Sequence, residues 1–276
     1  MKVMNNGPGD ILIAVAHPSE EEAVRRAALS AGCRCEVIVT GVGGAAMSWA
    51  LQKRFSLAWL PRSQASGKDS AGHTIYSDAG RAEYSNEGHT VYSDGGHTLY
   101  SGAGKQHPVS LPSVVIGAGI AGSYVDSIIP GTVVATSSDC FADMGVDDNG
   151  HFIPLFGAGL ADANTPPFNA GRIPCTGKFF EIASGLIPAV RGATVNMASG
   201  SQAVIDRIIK AWDPEIETME GAWLAYTCAM SGIPWISVRA VSNRVEPRNL
   251  KNWNIPLALQ NLEEKMIQML ELIAKS

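Results

Sequence analysis

No apolar run in this 276-residue chain is long enough to cross a bilayer, and the one in its opening MKVMNNGPGDILIAVA is too short for the hydrophobic stretch of a secretory leader. A basic surplus is also missing. With 21 Lys and Arg against 26 Asp and Glu, the formal charge is -5, so no field is available to neutralise a phosphate backbone. Membrane and nucleic-acid partners are therefore not expected. Cysteine is sparse: Cys33, Cys35, Cys140, Cys175 and Cys228 form an odd set without paired CxxC blocks, which argues against both a disulfide framework and a structural zinc. They read as buried thiols of a reducing compartment, and a cytoplasmic location is the expectation.

What the chain does have is apolar content. Its 46% hydrophobic residues can fill a sizeable core. β-branched runs recur as ILIAVA (11–16), EVIVTG (36–41), SVVIGA (113–118), TVVATS (132–137), ATVNMA (193–198) and PWISVRAV (234–241). Continuous runs of this kind suit strands buried on both faces. Helical patterns fall between them over 18–31, 43–56, 178–189, 201–212 and 217–232. A last helix over 255–274 carries Leu257, Leu259, Leu262, Met266, Met269 and Ile273 at helical spacing. Alternation of this sort predicts an α/β protein, a three-layer α/β/α sandwich around a mixed, largely parallel sheet.

Residues 62–110 interrupt the pattern as a Gly, Ser and His-rich insertion in an otherwise single domain over 1–276. Inside it are four octapeptide repeats over 72–103: GHTIYSDA, GRAEYSNE, GHTVYSDG and GHTLYSGA. Each unit holds one β-like triplet closed by a Gly-containing turn, and because eight residues cannot bury a face alone, the expectation is either short hairpins or disorder. Equal repeats space His73, His89 and His97 regularly whatever their function, and no metal site is expected. The insertion joins a helix to the next parallel strand, which places it at the amino ends of the strands, away from the carboxyl ends where such sheets bind ligands.

Gly117, Gly119 and Gly122 spell G-x-G-x-x-G after SVVI, and Asp139 follows at about the dinucleotide spacing. Yet only Ser123 to Ile129 separate them from Pro130 and Gly131, too few for the crossover helix that the fingerprint needs. The glycines then read as a loop where backbone approaches a ligand. No cofactor is expected.

Candidate chemistry gathers at strand ends. Glu20, Glu21 and Glu22 open the first helix, where carboxylates suit the helix dipole. TGVGG, with Gly41, Gly43 and Gly44, closes the second strand. Glu220 lies in ETMEGAWLAYTCAM (217–230), an apolar setting in which a carboxylate must be paired or used. Ser242 and Asn243 end the strand PWISVRAV.

In this order, PSEEEA (18–23), TGVGG (40–44), AGIAGS (118–123), PGTVVATSSDCFADMGVDD (130–148), ETMEGA (217–222) and RAVSNRVEPRN (239–249) resemble the nucleosidase branch of the nucleoside phosphorylase superfamily. Within it, the short stretch from Glu22 to Gly41 and the AGIAGS and DCFADMG blocks look more like the futalosine hydrolase family than the methylthioadenosine/S-adenosylhomocysteine nucleosidases. The resemblance implies hydrolysis of an N-ribosidic bond, with hypoxanthine released from futalosine for menaquinone biosynthesis. The alternatives are another purine nucleosidase or a purine nucleoside phosphorylase. It also implies a homodimer or larger homo-oligomer.

Carried over by residue, the resemblance makes Glu22 the group that orients the attacking water, while Glu220 accepts from the ribose hydroxyls and Met219 packs beneath the sugar. Gly43 and Ser242 would also contact substrate, Ala121 and Gly122 would line the wall, and Met197 would lie on the base-contacting strand. Asn243 stands where adenine-specific relatives carry an aspartate. A neutral amide cannot protonate N7, but it can donate to N7 or O6, which favours a 6-oxopurine. Arg172, Lys178, Arg239 and Arg244 are the candidates to meet the substrate's carboxylate.

Overall fold

The computed structural model describes residues 10–59 and 110–276 and, between these spans, the backbone of five short strands. The chain opens with β1 (Ile11–Val15), α1 (Pro18–Ser30), β2 (Cys35–Val39) and α2 (Gly44–Trp59). Next come β3 (Ala65–Lys68), β4 (Thr74–Tyr76), β5 (Ala82–Tyr84), β6 (Thr90–Asp94) and β7 (His97–Ser101). Apart from these strands and Ser110, the predicted insertion and its repeats lie outside the described residues. Among the described residues each octad carries one strand, and β5, β6 and β7 pair antiparallel in succession.

After it follow β8 (Val114–Ser123), β9 (Val133–Asp139), β10 (Gly145–Asp148), β11 (His151–Pro154), β12 (Ile173–Pro174), α3 (Lys178–Leu186), β13 (Ala189–Thr194) and α4 (Gln202–Trp212). The chain closes with β14 (Ile216–Thr218), α5 (Gly221–Met230), β15 (Trp235–Arg244) and α6 (Ile255–Ala274). β1 is buried at every position, as is β15 up to Asn243, which explains why both read as unbroken apolar runs. α1 and α3 pack on α6, and α2 packs on α5. The helix α6 turns Ala258, Leu262, Met266, Met269, Leu270 and Ile273 inward, whereas Leu257 and Leu259 are only partly buried.

In the main sheet β2, β1, β8 and β15 run parallel, as do β9, β13 and β14 among themselves. Antiparallel pairs, β14 with β8 and β15 with β9, join the two groups. The pairings β8–β14–β13–β9–β15–β8 thus close a ring. Closure satisfies the ladder groups that an open edge would expose, and it brings the ends of β8, β14 and β15 together.

Of the boundaries that differ from the sequence reading, two concern β8 and β14. The glycine block 117–123 is strand, because β15 pairs with β8 all the way to Ser123. Its glycines answer to packing: a Cβ at Gly117 would stand 2.6 Å from Leu224 Cδ1, and one at Gly122 would stand 2.8 Å from Val245 Cγ2. Residues 217 and 218 belong to β14, and the helix expected from 217 starts at Gly221.

Candidate active site

Where the strands end, a cleft of about 350 Å³ opens, within the size range of small-molecule sites. Its lining includes His17, Glu20, Ala121, Gly122, Met219, Glu220, Ser242 and Asn243. A second hollow of about 390 Å³ between Gly131, Pro188 and Asn261 lies apart from these residues, and its only charged lining residues are Glu264 and Lys265.

The α1 carboxylate in the cleft is Glu20, not Glu22. His17 caps the helix and Glu20 occupies its third position, so the side chain folds back over the helix start. There Oε2 accepts from the amides of Ala16 (2.9 Å) and His17 (3.0 Å), and Oε1 accepts from Ile120 N–H at 3.0 Å. Glu22 is two residues on, about 200° around the helix. Its side chain is 81% exposed and pairs with Arg26 at 3.9 Å, so the expected water-orienting role does not fit this position. Spacing from the end of β1, together with the capping pattern, is what places Glu20 rather than Glu22 in the cleft.

Behind Glu20 lies Arg239, 1% exposed on β15, with Nη1 4.0 Å from Glu220 Oε2 and Nε donating to Ser237 Oγ. Gly119 makes this approach feasible, since a Cβ there would sit 2.6 Å from Glu20 Oε1 and 2.8 Å from Arg239 Nη1. Burial raises the Glu20 pKa above the usual carboxylate range; the Arg239 charge and the amides of Ile120 and Ala16 oppose the rise, and the charge of Glu220 adds to it. Glu220, just before α5, accepts from Gly43 N–H at 2.8 Å through Oε1. Gly43, expected to contact substrate, is outside the cleft lining and holds this carboxylate instead. Its φ of +93° is a conformation that glycine adopts freely.

Asn243 is 8% exposed. Its Oδ1 accepts from Ser242 Oγ at 2.8 Å, and Nδ2 donates one hydrogen to the Arg244 carbonyl at 2.7 Å, keeping a second. Met197 is corrected: β13 stops at Thr194, leaving Met197 70% exposed, while Ala198 and Ser199 line the cleft. Of the four cations considered from sequence, Arg172 is taken up by Ser138 and Gly192, Lys178 lies 4.8 Å over the Phe179 ring, and Arg239 is sealed behind the carboxylates. Arg244 lines the cleft, as does Arg248, which sequence reasoning had passed over. Arg244 also pairs with Asp126 at 2.9 Å.

Residues 109–275 match the family described as Phosphorylase superfamily. Among curated proteins, futalosine hydrolase of Acidothermus cellulolyticus is 35% identical over 156 residues, 55% of this chain and 62% of its own. That of Streptomyces coelicolor is 29% identical over 154 residues, again 55% and 62%. The matched region thus spans a little over three-fifths of these relatives. Among solved structures, Helicobacter pylori futalosine hydrolase superposes with a TM-score of 0.65 at 11% identity, covering 96% of this chain and 98% of that one. A Neisseria meningitidis 5'-methylthioadenosine/S-adenosylhomocysteine nucleosidase in complex with methylthio-immucillin-A gives 0.64 at 16%, covering 96% and 99%. At such identities the likeness is one of fold.

Proposed function

The chain belongs to the phosphorylase superfamily, and from that premise we propose that it hydrolyses the N-glycosidic bond of futalosine, releasing hypoxanthine and dehypoxanthine futalosine in menaquinone biosynthesis. The observation that carries this reading is the pair of buried carboxylates, Glu20 and Glu220, set about Arg239 in a cleft that also holds Asn243. The similarity to two curated futalosine hydrolases supports the choice of substrate.

In the proposed reaction the C1′–N9 bond lengthens first and C1′ gains oxocarbenium character. Glu220, fixed by Gly43 N–H, accepts from the ribose hydroxyls, and its charge complements the growing cation. Asn243 donates its second Nδ2 hydrogen to the base, a bond that strengthens as the departing purine becomes negative. Glu20 holds the water and takes its proton as the new C1′–O bond forms, and a proton returns by way of solvent to the departing purine anion, which leaves as neutral hypoxanthine. A raised pKa suits that role, because a base works best when its proton affinity lies near the working pH. Arg244 and Arg248 are the cleft cations for the substrate's carboxylate.

Phosphorolysis is the competing reading, and those same two arginines are what favours it. Against it, Glu20, Glu217 and Glu220 line the same cleft and would repel a dianion by on the order of a few kcal/mol at partial burial. Base release from futalosine should proceed at one rate with and without phosphate and yield a free sugar. A strict phosphate requirement with a sugar 1-phosphate product would sink the hydrolase reading.

A further inference from the structure

Glu220 occupies the capping position of α5, directly before Gly221, yet its carboxylate makes no bond to the helix. A side-chain acceptor at that position ordinarily folds back onto the amides of the first turn, and the helix dipole draws a carboxylate the same way. Glu220 instead reaches Gly43 N–H at 2.8 Å and lies 4.0 Å from Arg239. Other groups must then satisfy the start of α5.

Two threonines do so. β13 and β14 run parallel with Thr194 opposite Thr218 as their last residues, and the two hydroxyls stand 3.2 Å apart. Thr218 Oγ1 accepts from Gly221 N–H at 3.1 Å, and Thr194 Oγ1 accepts from Ala222 N–H at 2.7 Å. Asp139, at the end of the neighbouring β9, sets the direction of both hydroxyls. Its Oδ1 accepts from Cys140 N–H at 2.8 Å and from Thr194 Oγ1 at 2.9 Å. A threonine has one hydroxyl hydrogen. With that of Thr194 committed to Asp139, Thr218 donates to Thr194, and each oxygen keeps a lone pair for its helix amide. All three residues are buried, and a Cβ at Gly221 would overlap Asp139 Oδ2, so the helix start is seated directly on the carboxyl.

We infer that Asp139, Thr194 and Thr218 are positioning residues that cap α5 in place of Glu220, which leaves the Glu220 carboxylate free to meet the ribose. The inference rests on the proposed nucleosidase reading and adds to it what keeps Glu220 off its own helix. Without the Thr194 hydroxyl, Ala222 N–H becomes a buried donor lacking an acceptor, a costly state. The carboxylate two residues before it is then drawn back over the first turn and away from the sugar. Thr194 is not among the residues lining the cleft, so its substitution acts on substrate through Glu220.

The test measures kcat/KM for base release from futalosine and from its 2′-deoxy analogue in the wild type, Thr194→Val, Thr194→Ala and Thr194→Ser, with folding checked by thermal melts. The intrinsic lability of the deoxy bond cancels when the ratio of the two substrates is compared between proteins. That ratio should fall about tenfold to a hundredfold from the wild type to Thr194→Val and Thr194→Ala, the worth of a hydroxyl bond to a charged acceptor. Thr194→Ser restores the acceptor and should keep the wild-type ratio. Equal losses on both substrates in the folded variants would mark a general disturbance and overturn the positioning role, as would an unchanged rate on futalosine. Failure of both variants to fold, while Thr194→Ser folds, assigns the hydroxyl to stability alone and overturns it too. Absence of base release from futalosine by the wild type overturns the functional reading itself.

Discussion

Two glutamates on the first turns of α1 show how much a rotation of one side chain decides. Glu20 is buried against three backbone amides and an arginine, whereas Glu22 stands in solvent beside Arg26. An exposed pair of that kind contributes little to stability. Glu20→Gln should lower kcat for base release by about two to four orders of magnitude, since the amide cannot take the proton of the attacking water. Glu22→Gln should stay within about twofold of wild type. Steady-state rates on the two purified variants decide it, and the reverse ranking would return the water to Glu22. The raised pKa of Glu20 gives a further expectation. A base must be unprotonated to act, so the acid limb of kcat/KM should lie above the ordinary carboxylate range.

At the scale of elements, the approach of α5 to the sheet fixes the Glu220 backbone. The first amides of a helix have no partners within it. Here Gly221 N–H donates to Thr218 Oγ1 at 3.1 Å and Ala222 N–H to Thr194 Oγ1 at 2.7 Å. Thr194 in turn donates to Asp139 Oδ1 at 2.9 Å, at the end of β9. The Asp139 carboxyl is wholly buried, and that burial pushes its pKa up to about 6, against the hydrogen bond from Thr194 and the charge of Arg172. A carboxyl whose pKa is higher folded than unfolded binds its proton more tightly in the native state. Its contribution to stability is full below the unfolded value and is lost as pH rises through about 6. Asp139→Asn should therefore flatten the pH dependence of Tm between about pH 4 and 6, the interval between the ordinary aspartate value and the shifted one, an effect of up to about 3 kcal/mol. Melting curves across that interval are the check. An unchanged slope would mean that another group carries the dependence.

Over the whole molecule, Ser110 and Ser113, where the chain returns from the predicted insertion, lie at the end of the sheet opposite the cleft. Ser110 O accepts from Arg54 Nη1, and Ser113 N–H donates to the Asp10 carbonyl just before β1 begins. The cleft is built instead where β1, β8 and β15 finish. Excision of 64–107 should then leave turnover within about tenfold of wild type, or roughly 1.4 kcal/mol of barrier. A folded deletion variant that loses more would show that this segment reaches a cleft. Among the described residues, no helix is long and apolar enough to cross a membrane.

Local pattern determined much of this protein. Runs such as ILIAVA and PWISVRAV named their own strands because both faces are buried, and α1 and α6 follow their periodicity to within a residue. The same pattern led to Glu220 and Asn243, each a polar group in apolar surroundings at the end of an element. Where chemistry depends on two segments meeting, the sequence was silent or misleading. Small residues in AGIAGS looked like a loop because nothing local shows that β15 lies alongside, or that Glu20 and Arg239 fill the space over Gly119. Glu217 read as the start of a helix, and only closure of the ring set it on one rung with Gly122 and Asn243. Periodicity records which way a side chain faces, while the identity of its neighbour is a contact made across the chain, and that was decided by the tertiary structure alone.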